Sequence, residues 1–292
     1  MRIQKETIRK HIHGHGLEDQ QYVHIRSSSN EIYTLEKDGY VMRFFYIGDK
    51  DHNSTIINNI LAQPLLSISL WNISKSAVPS VFPTVKTYDG WLSTVWHKGN
   101  VIDDDTGYYM TQALKKLHSI DKNSLQYITN LSQMNIIDTI NDRYRKVETL
   151  GIDREILQYL QSMIHDACYS HNIISSSGDN IIHLDTYGAN LVEYHNESCL
   201  IDLDTMAIGP WQYDYVVYLL SSQLFGNEID HSYIPQDVFS WDLYDMSVQL
   251  RKTDMFSWIC TMSSTSDAHY EEMIKRYESL KYNTDYQWNK NL

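Results

Sequence analysis

The chain has 292 residues, 42% of them hydrophobic and 21% charged, which is enough apolar material for a sizeable core and too much for intrinsic disorder. At about 150 residues per domain, this length predicts two domains or one two-lobed unit. With 24 Lys and Arg against 37 Asp and Glu, the formal net charge of −13 argues against a nucleic-acid backbone or an anionic membrane surface as partner. It fits cationic small molecules, and it serves equally for plain solubility.

The opening Met1-Arg2-Ile3-Gln4-Lys5-Glu6 is basic with no apolar run behind it, so no signal peptide is expected. His11, His13 and His15 surround Gly14, and a solvated loop is expected there before a metal site. Three strand-like runs follow: Tyr22–Arg26, Glu31–Leu35 and Tyr40–Phe45, broken at Ser27–Asn30 and at the hairpin signal Lys37-Asp38-Gly39. In the first run Val23 and Ile25 share one face and His24 and Arg26 the other, the period of a half-buried strand. This predicts an antiparallel meander. A helix over Ser54–Gln63 is expected to stop at Pro64. The uncharged stretch Ser54–Ser74 carries Asn58, Asn59, Gln63, Pro64 and Asn72, which make it a poor membrane-spanning helix. A further strand is expected at Trp91–Trp96.

After Gly99 the texture turns helical. Asp103-Asp104-Asp105-Thr106 places acidic and capping residues before a segment with Met110, Ala113, Leu114 and Leu117 on one face. Asp153 is placed to cap a helix with the stripe Ile156, Leu157, Leu160, Met163, Ile164 and Ala167. Glu271–Tyr282 turns Met273, Ile274, Tyr277 and Leu280 inward, with Glu271 and Lys275, and Glu272 and Arg276, as i,i+4 pairs. Cys168, Cys199 and Cys260 are an odd number at unpatterned spacing, which suggests neither a disulfide framework nor a zinc site, and a reducing, cytoplasmic setting. The expected plan is α+β: a small antiparallel-sheet lobe over 1–98 and a larger, mainly helical lobe over 99–292.

Within the helical region, Ile181-Ile182-His183-Leu184-Asp185-Thr186-Tyr187-Gly188-Ala189-Asn190 leads into two apolar runs, Leu191–Tyr194 and Cys199–Asp204, around His195-Asn196-Glu197-Ser198. This reads as a hairpin with a four-residue turn. Asn190 opens its first strand and Asp202 closes its second, so pairing is expected to set the two side chains side by side, with Asp185 carried close by. An amide oxygen and a carboxylate are hard ligands of the kind that hold Mg²⁺ while phosphate and water complete its shell. A separate carboxylate there can take the proton of a hydroxyl nucleophile.

His-x-Asp-x-x-x-x-Asn, followed by a strand ending in Asp, resembles the aminoglycoside phosphotransferase and choline kinase family, relatives of the protein kinases. The resemblance implies a bilobal protein-kinase-like fold and transfer of the γ-phosphate of ATP or GTP, with Mg²⁺, to a hydroxyl of a small molecule. Aminoglycosides or other antibiotics, choline-like amines and sugars all fit as acceptor. It implies Asp185 as base, His183 as a residue shaping the catalytic loop, Asn190 and Asp202 as Mg²⁺ ligands, and Asp204 as a further metal or supporting group. Ile208-Gly209-Pro210-Trp211-Gln212-Tyr213-Asp214 is similar to the family's stretch after its metal Asp, whose last Asp braces the catalytic loop. Upstream, Ser28, Ser29 and Asn30 lie in a segment similar to the nucleotide-covering hairpin. Arg43 stands where the cation for the α/β-phosphates is found, and Thr94, Val95 and Trp96 where adenine sits. For a cationic substrate, Trp241, Tyr244 and Trp258 with Asp242, Asp245 and Asp254 are candidates for a pocket, with Asp230 upstream. The same residues also suit an ordinary amphipathic helix face.

Two departures stand out. The helix after the third strand lacks the family's Glu, and the Ser27–Asn30 loop lacks glycines that let backbone N–H groups approach phosphates. They leave a non-catalytic kinase-like binding protein as one alternative. Leu200-Ile201-Asp202-Leu203-Asp204-Thr205 also resembles the nucleophile strand of haloacid-dehalogenase-type phosphatases, with Asp202 attacking phosphate. There, however, Thr205 comes one place early, and 88 residues follow Asp204.

Overall fold

The computed structural model describes all residues except 1, 19, 28–29, 49–54, 103–106, 126–130 and 290–292, with the backbone alone at 26–27 and 55–59. The expected nucleotide contacts Ser28 and Ser29, the acidic cap Asp103–Thr106 and the side chains of Asn58 and Asn59 fall outside the described set. In chain order the helices and strands are α1 (Lys5–Gly14), β1 (Tyr22–Ser27), β2 (Glu31–Leu35), β3 (Tyr40–Tyr46), α2 (Thr55–Ser74), β4 (Lys86–Tyr88), β5 (Trp91–His97) and β6 (Asn100–Val101). They continue with α3 (Tyr108–His118), α4 (Ile136–Val147), α5 (Arg154–Ile174), β7 (Asn180–Ile182), β8 (Leu191–Tyr194), β9 (Glu197–Leu200) and β10 (Ala207–Gly209). The chain closes with α6 (Trp211–Leu224), α7 (Gln236–Phe239), α8 (Tyr244–Met262) and α9 (Asp267–Tyr282).

Two compact units emerge. The first comprises Met1–Ile102, Asn123–Asn130 and Leu191–Asp204. Its main sheet runs β1-β2-β3-β5-β4, every pair antiparallel, with Glu31 opposite Phe44 and Arg43 opposite Thr94. The alternation in the sequence sets this register, because a one-residue slip would turn Tyr33, Leu35, Met42 and Phe44 out of the core they share with Ile8, Ile12 and Val95.

That core includes a helix the sequence did not announce. Instead of a solvated loop, the histidine-rich stretch lies at the end of α1, where His11 and His15 are buried. His11 Nδ1 and His15 Nε2 lie 2.7 and 3.0 Å from the buried Ser93 Oγ. Gly14 permits this docking, since a Cβ there would come within 2.4 Å of the Tyr88 hydroxyl. Desolvation lowers both imidazoles to about 4.

A second correction concerns α2, which runs through Pro64 to Ser74. Proline inside a helix costs about 3 kcal/mol, whereas each fully buried aliphatic side chain contributes about 1.5–3 kcal/mol. Ile60 before the proline and Leu66 and Leu70 after it are all buried, so packing outweighs the break. The third correction is the β8–β9 turn. It has two residues, His195 and Asn196, with φ of 52° and 61°, and Tyr194 pairs with Glu197. Two successive left-handed residues match the twist of a tight hairpin, where a four-residue loop was expected.

The second unit comprises Asp103–Lys122, Leu131–Asn190 and Thr205–Leu292. Its core joins α4, α5, α6, α8 and α9, and Ile156, Leu160, Met163, Ile164 and Ala167 of α5 face it as their spacing predicts. Asp153 caps α5 by accepting the Glu155 N–H at 2.7 Å. The Glu272–Arg276 pair of α9 forms, in the interior, at 2.7 Å. Short strands β7 and β10 pair antiparallel, and Gly178 lets the chain reach them, since a Cβ there would lie 2.5 Å from the Pro210 Cα. Among the described residues, Cys168, Cys199 and Cys260 form no disulfide. Among the described residues no helix is long and apolar enough to cross a membrane.

Candidate active site

In the second unit, the loop from His183 to Asn190 is tied down by one carboxylate. Asp214 lies in the first turn of α6, where the helix dipole favours an anion, and has no solvent exposure. Its Oδ2 accepts the His183 N–H at 2.9 Å and lies 2.9 Å from His118 Nε2. Its Oδ1 accepts the Leu184 N–H at 2.8 Å. Leu184 has φ +69°, a conformation that costs a branched side chain free energy and persists only where surrounding bonds hold it. Thr186 Oγ1 donates to the Asp214 carbonyl at 2.5 Å, and Thr205 Oγ1 donates to the His183 carbonyl at 2.7 Å.

This bracing presents Asp185. Its backbone N–H lies 3.4 Å from His183 Nδ1, and its side chain is 33% exposed. Asn190, buried in a 3-10 turn, donates from Nδ2 to the Asp185 carbonyl at 2.9 Å and to its Oδ2 at 3.2 Å. That assignment leaves the amide oxygen of Asn190 as its remaining donor atom for a cation. Sequence reasoning missed the last partner: Arg251 of α8 reaches Asp185 Oδ1 from Nη2 at 2.8 Å. Sixty-odd residues and several elements separate the two, so no local pattern could have announced the pair.

In the first unit a separate group forms around Arg43 of β3. The guanidinium is buried over the Phe45 ring, 4.9 Å from its centroid, and Nη2 lies 3.1 Å from Asp202 Oδ1 and 3.3 Å from Asp204 Oδ2. Asp202, with φ +62°, stands past the end of β9, and Asp204 occupies the following 3-10 turn. The carboxylate missing from α2 has a polar replacement in Gln63, whose Nε2 donates to Asp204 Oδ1. Two carboxylates thus face one cation. Desolvation pushes the Asp204 carboxyl up to about 6; Arg43 opposes that shift and Asp202 adds to it.

The other sequence candidates are placed differently. Asn30 is buried, and its Oδ1 has no hydrogen-bond partner among the described residues. Thr94 and Val95 are fully buried, Thr94 Oγ1 accepts from Trp96 Nε1 at 2.8 Å, and the Val95 carbonyl is taken by Val81 N–H and Ser80 Oγ. Backbone pairing with the segment before β4 therefore occupies the strand at Val95, where an adenine contact was expected. Trp241 and Trp258 rest against the helical core, Tyr244 is half-buried, and Asp242 and Asp245 are exposed. Asp254 is buried against Arg143 and Arg251. Asp230 caps a short turn by accepting the Ser232 N–H at 2.9 Å. Trp241, Trp258, Asp254 and Asp230 thus have packing, pairing and capping partners.

Among the described residues, no group of three or more His, Cys, Asp or Glu side chains is placed to hold a metal ion. Two carboxylates do fit Mg²⁺, which is commonly held by one or two carboxylates together with substrate phosphates.

No protein-family model and no curated protein matches the chain. Solved structures do. An amicoumacin kinase in complex with AMP-PNP and Ca²⁺ aligns with TM-score 0.62 at 13% identity, over 98% of this chain and 96% of that one. A GDP complex of an aminoglycoside 2'-phosphotransferase aligns with TM-score 0.62 at 16% identity, over 96% and 98%. A choline kinase from Streptococcus pneumoniae aligns with TM-score 0.59 at 13% identity, over 94% and 99%. The expectation of a kinase-like α+β fold is met: along nearly its whole length, the chain has the fold of aminoglycoside phosphotransferases and choline kinases.

Proposed function

We propose that the protein is a small-molecule kinase that transfers the γ-phosphate of ATP or GTP to a hydroxyl of a small, cationic acceptor. The observation that carries this reading is the Asp185 loop. Its carboxylate is the exposed end of a buried, hydrogen-bonded frame, held ready for a hydroxyl without rearrangement. In the reaction the acceptor oxygen bonds to the γ-phosphorus as the bond to the departing nucleoside diphosphate breaks, and the hydroxyl proton passes to Asp185. Little covalent assistance is needed in a loose transition state, so Asp185 chiefly orients the hydroxyl and takes its proton late.

Asp202 and Asp204 would hold Mg²⁺, which when bound neutralises charge on the phosphates; Asn190 of the second unit is proposed as a ligand on the family resemblance alone. Arg43 is suited to pair with phosphate oxygens through its planar fork, and with both Asp202 and Asp204 it keeps that fork oriented. An acidic chain of net charge −13 favours approach of a cationic acceptor. One observation favours a second reading, a non-catalytic kinase-like binding protein: Arg43 and Gln63 already engage Asp202 and Asp204. The kinase-like fold leaves the phosphatase alternative without support.

The test is phosphotransfer from ATP and GTP, with Mg²⁺, to a panel containing amicoumacin, an aminoglycoside and choline, in wild type and Asp185→Asn. Turnover in wild type that is lost in the variant supports the reading. Turnover retained in Asp185→Asn contradicts the assigned base, and none in wild type favours the binding protein.

A further inference from the structure

The buried Arg251 reaches beyond its own helix to Asp185. Its Nη1 already pairs with Asp254 Oδ2 at 2.6 Å, one turn further along α8. Asp254 is itself gripped from α4, where Arg143 Nη1 reaches its Oδ1 at 2.6 Å, its carbonyl at 3.0 Å and Ser257 Oγ at 3.3 Å. The four side chains form a row, Arg143 to Asp254 to Arg251 to Asp185, with alternating charge. Its two middle members are the enclosed ones: Asp254 and Arg251 side chains are 10% and 11% exposed, against 24% for Arg143 at one end and 33% for Asp185 at the other.

Burying a guanidinium costs several kcal/mol unless carboxylates and hydrogen bonds compensate it. Here both Nη arms are spent on carboxylates, while the buried Nε has no hydrogen-bond partner among the described residues. The pose is therefore set by the two arms. On the receiving side, Asp185 is fixed at both oxygens: Oδ1 by Arg251 and Oδ2 by the Asn190 amide. Contacts on separate oxygens remove rotation of the carboxylate about its last bond, yet each oxygen keeps a lone pair for a further donor.

We propose that Arg251 is a positioning residue for Asp185, holding the carboxylate in the orientation that receives the acceptor hydroxyl. The assignment rests on the kinase reading above. Arg251 does not touch substrate; it acts through Asp185, and Asp254 with Arg143 acts in turn as its anchor. Lysine cannot replace it, since one ammonium lacks the fork that spans two carboxylates.

The test compares wild type, Arg251→Gln, Arg251→Lys and Asp185→Asn in the phosphotransfer assay, with thermal melting of each and with Arg251→Gly assayed with and without guanidinium ion. Misplacing a reacting group by about 1 Å can cost about 100-fold, so kcat should fall by about that factor in Arg251→Gln while KM for nucleotide and acceptor stays within about threefold. Guanidinium ion should restore part of kcat to Arg251→Gly, an effect that a merely structural role would not give. Should Arg251→Gln fail to fold, Arg251→Lys carries the same expectation. A folded variant with wild-type kcat, while Asp185→Asn is inactive, overturns this assignment alone. Absence of turnover in wild type overturns the kinase reading, and this assignment with it.

Discussion

The Asp214 carboxylate accepts the backbone N–H of His183 at 2.9 Å from a position with no solvent exposure, and with the same two oxygens it also holds Leu184 and faces His118. One side chain on α6 thus fixes the backbone from which Asp185 projects. Asp214→Ala would leave these groups without a partner in the interior. Breaking such a buried charged contact costs about 3–5 kcal/mol, and Asp214→Asn, which keeps an acceptor, should cost less. Urea denaturation of the two variants checks both size and order.

Acid should loosen the first unit. Desolvation lowers His11 and His15 from 6.5 to about 4 in the fold, so between those values the unfolded chain binds more protons. Their contribution is fully present above pH 6.5 and is lost as pH falls toward 4. Each is worth at most about 3 kcal/mol at neutral pH, and the two share Ser93, so they are not additive. Denaturation midpoints measured across this window should fall with pH, and the slope should flatten in His15→Phe, which keeps the stacking on Phe82.

Gln63 donates to Asp204 where a glutamate could only repel it. Gln63→Glu should therefore lower stability, by about 1–3 kcal/mol, because a buried acceptor loses its donor and meets like charge. Gln63→Leu removes the donor alone and should cost less. Equilibrium unfolding at pH 8, where Asp204 is ionised, separates the two.

At the β8–β9 turn, Asn196→Gly should stabilise the protein by a few tenths to about 1 kcal/mol, since glycine adopts φ +61° without strain. Asn196→Val should destabilise it, because a β-branched residue resists that conformation. Thermal melting of both variants reads the difference.

Patterns carried by near neighbours were legible in the sequence. Alternation placed β1, β2 and β3, a capping Asp153 placed α5, and the spacing of His183, Asp185 and Asn190 marked the loop. What depended on distant partners was not legible. The stop at Pro64 failed because Leu66 and Leu70 find a core. The histidine-rich α1 looked like a loop because its burial depends on Ser93, 78 and 82 residues away. The Val95 edge is closed by residues 80–81, a pairing without a hydrophobic signal. Arg251 and Gln63 sit on helices as ordinary polar residues, and only the fold brings them to Asp185 and Asp204.

The most direct measurement is a thermal-shift titration with ATP and GTP, each with and without Mg²⁺, on wild type and Asp202→Ala. A ligand that binds only the native state adds about 2.7 kcal/mol at about 100 times its dissociation constant, which is readily seen as a raised melting point. The kinase account predicts a Mg²⁺-dependent rise with at least one nucleotide that disappears in Asp202→Ala. No rise with either nucleotide, or an equal rise in the variant, would contradict it.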